Sequence, residues 1–364
     1  MFDFLIIGGG IIGLLTAKEL NATGARVAVI EKNSPGQQSS WAAGGILSPM
    51  RPWTYSAPVN AISAISRKLY QQLADELFEQ TSIDPKWVKS GMLIISDENM
   101  EQAIQWCQQN DPSHQVLSSE QANKQFNELK TVSQPALYRP DVATIHPPKL
   151  LTALNQYLTQ RGVTFFNGQG AQEIISKGQQ VTAVKTANEL ITANEYIICA
   201  GTWSPSLLMS EKTLPNIQPI KGQMICFPPS HVSNPSMVME NNRYIIPRTD
   251  GRIIVGSTIE HTGFDAKTTH EAFCSLRDFA QQLYPSLNKL QPDAHWAGLR
   301  PSSPNSIPYI CRVTSQTNLS LNAGHYRNGI VTAPASAQLI ADILLNRTPI
   351  IDPEPYQLNR LTKN

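Results

Sequence analysis

Three glycines, Gly8, Gly10 and Gly13, stand at G-x-G-x-x-G spacing inside the apolar run "LIIGGGIIGLL", and a carboxylate, Glu31, follows downstream. These residue types at this spacing suit phosphate and ribose chemistry. Gly8 would permit a sharp turn, Gly10 would let backbone approach a pyrophosphate, and Gly13 would let a helix pack closely on a sheet. The N-terminus of that helix would offer unpaired N–H groups and a partial positive charge to the phosphates. Glu31 lies near the offset of roughly 20 residues expected for a carboxylate gripping ribose hydroxyls, and its charge disfavours a 2′-phosphate. The glycines alone fit NAD and FAD equally.

The elements around them supply the context that the fingerprint needs. Phe4 to Ile7 reads as a buried strand, Ile11 to Leu20 as a helix ended by Gly24, and "RVAVIE" as a second strand. After Glu31 comes "KNSPGQQSSWAAGGILSPM", a loop of small residues. There Ser39 and Ser40 could hydrogen-bond phosphate, and Gly44, Gly45 and Ile46 could line an isoalloxazine ring. Trp41, Ile46 and Leu47 are too apolar for a free surface loop. Near the other end, "LSLNAGHYRNGIVTAPASAQLIADILLN" reads as a strand, a loop from Gly324 to Gly329, and a helix with Pro334 near its first turn. A helix start aimed at a flavin pyrimidine would stabilise negative charge near N1. A further glycine turn, Gly201, ends the apolar strand of "YIICAGTWSP", and "PPKLLTALNQYLTQRG" predicts a helix before Gly162.

Bulk properties narrow the partners. The chain has 364 residues, a formal net charge of +1, and 41% hydrophobic and 16% charged residues, so two domains are expected. Near-neutral charge gives no reason to expect nucleic acid or an anionic membrane as partner. The five cysteines are scattered without a C-x-x-C pair, which argues for buried thiols in a reducing compartment and against a disulfide framework or a metal site. No apolar run reaches the roughly 20 residues of a membrane span, and the first one lacks a basic flank. A soluble, cytoplasmic protein is expected. The expected fold class is α/β: a Rossmann-like domain, read as FAD-binding from the two flavin-suited stretches above, plus an α+β substrate domain with an antiparallel sheet. The FAD-binding domain would be discontinuous, built from residues 1–85, 141–218 and 296–364, and the substrate-binding domain from 86–140 and 219–295. Stretches such as "GQMICFPP" and "GRIIVGSTI", with "RTDGR" as a hairpin turn, fit that second sheet.

Six stretches taken in order carry a resemblance: "IIGGGIIG", "SSWAAGGILSP", "IKGQM", "YIIPRTDGRIIVGSTIE", "WAGLRPSSPNSIPYI" and "AGHYRNGIVTAPA". Together they span nearly the whole chain. The sequence resembles the D-amino-acid oxidase-like FAD-dependent oxidoreductases, in their glycine oxidase branch associated with thiamine (thiazole) biosynthesis. The resemblance implies FAD held without a covalent link by Ile11, Ile12, Glu31, Lys32, Ser39, Ser40, Gly44, Gly45 and Ile46. It adds a contact at Ala171 and the segment His325, Tyr326, Arg327, Asn328, Gly329, Ile330 and Val331. Related sarcosine oxidases attach flavin through a cysteine near the position of Arg300; arginine stands there in this chain, so dissociable FAD is expected. The implied substrate residues are Arg300, Tyr244 and Arg327. A guanidinium fork suits a carboxylate through two parallel hydrogen bonds, and Arg300 is the leading anchor. Arg327 could instead close the site.

The implied reaction is oxidative deamination of glycine, also sarcosine or small D-amino acids, with O2 as acceptor and hydrogen peroxide released. His325, Lys221 and His295 are not expected to act as bases, because a neutral substrate amine can drive hydride transfer unaided. Two rival readings remain: a D-amino-acid or imino-acid dehydrogenase passing electrons to a quinone or protein, and a flavoprotein maturation factor that acts on another protein. The family allows a homotetramer. Ile46, Ile259 and Asn242 depart from other members at positions expected to face the pocket.

Overall fold

The structure, a computed structural model, describes residues 1–209, 214–230 and 234–360. Strand Phe2–Ile7 is central to a six-stranded sheet because both of its faces are apolar and both become covered. It pairs in parallel with Val27–Glu31 on one side and Ala193–Ile198 on the other. Thr164–Asn167 and Leu319–Ala323 extend the parallel array, and Tyr309–Arg312 closes one edge antiparallel. Side chains alternate between two cores. Phe4, Ile6, Val27 and Val29 pack with the helices Ile11–Asn21, Ala57–Thr81, Pro147–Gln160 and Gly329–Leu344. Leu5, Ile7, Ala28 and Ile30 face Val181, Val184 and Ile191 of a small antiparallel sheet. The expected strand–turn–helix–strand unit is therefore present. Gly8 sits at φ +115°, and a Cβ on Gly13 would lie 1.9 Å from the Gly8 carbonyl oxygen. Only glycine admits that contact between helix and turn.

The last helix departs from expectation. Pro334 lies inside Gly329–Leu344 rather than in its first turn, so the Ile330 carbonyl has no i+4 N–H to accept. The helix Ala57–Thr81 repairs the gap: Tyr70 donates its hydroxyl proton to that carbonyl, and Ser66 Oγ accepts from Ala335 N at 3.0 Å. The proline thus becomes a docking point between two buried helices.

The second sheet has eight strands in the order Ala294–Ser302, Gln218–Phe227, Ile253–Gly256, Arg243–Pro247, Met237–Glu240, Met92–Ser96, Ala136–Arg139 and Gln115–Leu117. It is antiparallel except where Met237–Glu240 meets Met92–Ser96. One face packs on the amphipathic helix His270–Leu283 through Leu276, Phe279 and Leu283. The opposite face, with Met224, Tyr244 and Ile246, turns toward Ile46, Met50 and Trp296. The "RTDGR" hairpin forms as expected, with Gly251 at φ +82°. A boundary at residue 296 would cut Ala294–Ser302, a strand of this sheet that carries Arg300. Among the described residues no helix is long and apolar enough to cross a membrane, and no His/Cys/Asp/Glu group could hold a metal. All five cysteines are free; Cys274 alone is not buried.

Candidate active site

A cavity of about 310 Å³ opens at the C-terminal ends of the parallel strands, where Ile7, Glu31, Cys199 and Ala323 meet the second sheet. Crevices at this edge are where open α/β sheets take their ligands. The helix Ile11–Asn21 points its start into it. Its cap residue, Gly10, supplies no side-chain cap, and the first i→i−4 bond runs from Leu14 N to Gly10 O at 2.9 Å. The N–H groups of Ile12 and Gly13 precede that ladder, while Ser40 Oγ accepts from Ile11 N at 3.0 Å. Acceptance leaves the Ser40 hydroxyl proton available to donate. A Cβ on Gly10 would lie 3.3 Å from Ser40 Oγ and intrude on this cradle. Glu31 is buried, and its two oxygens accept from Gly9 N at 2.8 Å and Asn33 N at 3.1 Å. These bonds fix the carboxylate and leave it lone pairs for ribose hydroxyls.

The loop of small residues after Glu31 is pinned at every few residues. Ser39 donates to the Leu299 carbonyl, so its proton is committed to the backbone and not to a phosphate. Trp296 Nε1 donates to Ala42 O at 3.1 Å, and Trp41 stands edge-on to Trp296 at 5.9 Å. Arg248 donates to Gly44 O at 2.7 Å and to Ile145 O at 2.9 Å; burial lowers this guanidinium to about 10. A Cβ on Gly45, at φ +73°, would lie 2.1 Å from Ile145 O. Gly44, Gly45 and Ile46 therefore line the cavity on a rigid ledge. Gly170 and Ala171 line it beside Lys32, whose Nζ lies 3.2 Å over the Trp203 ring. Trp203 had no local sequence signal beyond following the Gly201 turn.

Between Gly324, at φ +86°, and the last helix, a single 3-10 turn Tyr326–Asn328 presents the His325–Ile330 segment. All six of these residues line the cavity; Val331 and Gly13 do not, Val331 being buried away from it and Gly13 lying under the Gly8 turn. His325 is held from both ring nitrogens, by Thr332 Oγ1 and Asn322 Oδ1, each at 3.0 Å. Burial lowers it to about 3, which keeps it neutral and unsuited to collecting a proton. Lys221 is likewise engaged, its Nζ 3.0 Å from Glu260 Oε2. His295 lies outside the cavity lining.

Arg300 and Tyr244 both line the cavity. The guanidinium donates from Nη1 to Thr258 O at 3.1 Å and Lys221 O at 3.4 Å, and from Nη2 to Ser257 Oγ at 2.7 Å. Every one of these acceptors is neutral. Burial pulls the group below its usual range; Tyr244 partly offsets this and the like charge of Arg327 adds to it. A cation held this way attracts an anion strongly. Its head group needs Gly222, where a Cβ would lie 2.1 Å from Nη2. Tyr244 slots between Gly44 and Gly256, which leave room for its ring, and its hydroxyl reaches Met224 Sδ at 3.8 Å. Arg327 lines the same cavity and also a neighbouring cleft with Asn242, Met50 and Tyr55; its Nη2 contacts Met50 Sδ at 3.5 Å. Ile46 faces the cavity, but Ile259 does not: it is 40% exposed outside the lining.

This arrangement pairs a dinucleotide cradle with a buried cation, and residues 3–343 match the sequence profile of the FAD dependent oxidoreductase (DAO) family. The chain belongs to that family. It is 40% identical over 353 residues to a glycine oxidase of Pseudomonas aeruginosa, covering 97% of each protein. It is 31% identical to a bifunctional ThiO/ThiG protein of Trichormus variabilis, covering 95% of this chain and 53% of that one. Its fold matches the crystal structure of glycine oxidase from Geobacillus kaustophilus with a TM-score of 0.93, at 27% identity over 99% of this chain and 98% of that chain. The family's FAD fits the residues present: the Gly10–Ser40 cradle would take the pyrophosphate and Glu31 a ribose. The ledge at Gly44–Ile46 and the turn at Tyr326–Asn328 would flank the ring system.

Proposed function

We propose that this protein is a glycine oxidase: an FAD-dependent enzyme that oxidises glycine, and also sarcosine or small D-amino acids, to the imino acid, the two electrons and two protons reducing O2 to hydrogen peroxide. The imino acid would hydrolyse to glyoxylate and ammonia or pass on to the thiazole moiety of thiamine. The observation that carries this reading is the Arg300 guanidinium, held in the cavity by neutral acceptors only. A bidentate pair with the substrate carboxylate would supply the missing counter-charge. Tyr244 would donate its phenol to the same carboxylate, and Arg327 would close the site from the cleft side. FAD held by these residues would supply the hydride acceptor and the redox link to oxygen. The chain's own contribution is orientation: the carboxylate is fixed at one end of the cavity, so that the α-carbon is presented to the ledge at Gly44–Ile46. No side chain in this reading takes the α-proton. His325 stays neutral and hydrogen-bonded, as a structural support for the last helix.

The cofactor is held without a covalent bond. Cys199 is the only cysteine among the lining residues, and burial pushes its thiol up to about 12, which keeps it from acting as a thiolate. An FAD lobe drawn from 1–85, 141–218 and 296–364 and a substrate lobe from 86–140 and 219–295 would suit this reading, with the boundary moved so that the strand Ala294–Ser302 stays whole in the substrate sheet. The test is an aerobic screen of glycine, sarcosine, D-alanine and D-proline read by peroxide. Glycine turnover with stoichiometric peroxide is expected; substrate oxidation without peroxide would favour the dehydrogenase reading.

A further inference from the structure

Arg300 cannot hold its own position. It emerges from the strand Ala294–Ser302 and lies flat over Gly222, where a Cβ would come within 2.1–2.2 Å of Nη2, Cζ and Nη1 alike. A glycine surface gives clearance but no direction. Direction comes from the segment after Gly256. Ser257, 4% exposed, accepts from Nη2 at 2.7 Å, and the next carbonyl, Thr258 O, accepts from Nη1 at 3.1 Å. The two bonds engage different amino groups, so they fix the rotation of the guanidinium plane as well as its place.

The segment bearing these acceptors is itself braced. Lys221 and Glu260 exchange backbone hydrogen bonds at 2.9 and 3.0 Å, and Thr258 N donates to Gln223 O at 3.3 Å. The Glu260 carboxylate gathers Lys221 Nζ at 3.0 Å, Gln223 Nε2 at 2.8 Å and the Thr258 hydroxyl. Burial raises the Glu260 carboxyl, but these donors outweigh it and leave the group below its ordinary value. Glu260 stays ionised and the segment keeps its shape.

We infer that Ser257 is the positioning residue of the carboxylate site: its hydroxyl sets the rotation of the Arg300 fork, and through it the strength with which a carboxylate binds. Ser257 is not itself among the residues lining the cavity, so it acts through Arg300 alone. The inference rests on the reading that Arg300 receives the substrate carboxylate.

The test uses the FAD-loaded full-length enzyme and two small probes, acetate and acetamide, as inhibitors of glycine oxidation. Ser257→Ala and Ser257→Cys, the latter close in size but a poor acceptor, should raise KM for glycine and Ki for acetate about tenfold, the loss expected for one hydrogen bond to a charged group. Their kcat should stay within about twofold, a split consistent with loss of binding common to ground and transition state. Acetamide, which lacks the charge, should bind as it does to the unmodified enzyme, and Ser257→Thr should restore acetate binding. An unchanged Ki for acetate in Ser257→Cys would overturn the inference, as would equal losses for acetate and acetamide. Arg300→Lys serves as the reference: weakened acetate there with normal acetate in the Ser257 variants refutes Ser257 alone. Acetate binding that is indifferent to Arg300 refutes the underlying reading.

Discussion

Gly222 and Arg300 occupy one space on paired strands, the guanidinium filling the volume that any side chain at 222 would need. The proposed anchor would therefore depend on two residues, one of which has no functional group. Gly222→Ala should push the fork aside while leaving the cradle around Gly8 and Gly10 untouched. With a displacement of about 1 Å at the binding group, kcat/KM for glycine should fall on the order of 10²-fold. Flavin content should be unchanged. Wild-type kinetics in that variant would show that the guanidinium does not need this position.

The two halves of the site were unequally legible in the sequence. Gly8, Gly10, Gly13 and Glu31 belong to one local unit whose spacing encodes its geometry, and the structure places them as that spacing requires. The loop from Ser39 to Ile46 was legible in composition, because its glycines and apolar residues contradict a free surface loop. Ser257, Gly222 and Trp203 were not, since each matters through a residue distant in the chain. Pro334 was misplaced for a related reason: its tolerance in the helix depends on Tyr70, and no local rule announces a distant donor. Gly13 carries the motif's spacing and Val331 ends the segment that the resemblance implied, yet both lie outside the cavity lining. Ile259 was expected in the pocket from the resemblance, but it is 40% exposed outside the lining.

Glu31 makes a sharp test of the cofactor half. Glu31→Gln keeps the shape but sets an amide donor against the N–H of either Gly9 or Asn33. FAD affinity should drop on the order of tenfold, the consequence of one mispaired buried group. Titration of the apoprotein by flavin fluorescence reads it. An unaltered Kd would remove Glu31 from the cofactor site.

Tyr70 compensates for Pro334, so Tyr70→Phe leaves the Ile330 carbonyl buried and unpaired. Denaturant unfolding of the flavin-loaded protein should show a loss of about 1–3 kcal/mol. In Tyr70→Phe/Pro334→Ala the helix regains its own donor, and much of that stability should return. No recovery would mean that Tyr70 contributes by packing alone.

His325 gives a pH dependence with a defined sign. Its folded value of about 3 lies below the value of about 6.5 for an unfolded histidine. The unfolded chain therefore binds more protons in that interval, and the stabilisation from neutral His325 is full above pH 6.5 and fades as pH falls toward 3. His325→Gln should flatten the loss of stability between about pH 6 and 4. Activity should show no inflection from this residue at neutral pH. An acid limb of kcat/KM that disappears in His325→Gln would contradict its placement as a structural group.

Anaerobic mixing of the enzyme with glycine, followed by the bleaching of flavin absorbance, tests the carboxylate anchor most directly. The FAD-loaded protein should bleach fully, and Arg300→Leu, yellow and equally loaded, should bleach more slowly by orders of magnitude at the same glycine concentration. Bleaching of Arg300→Leu at the wild-type rate, with the same dependence on glycine, would contradict the account.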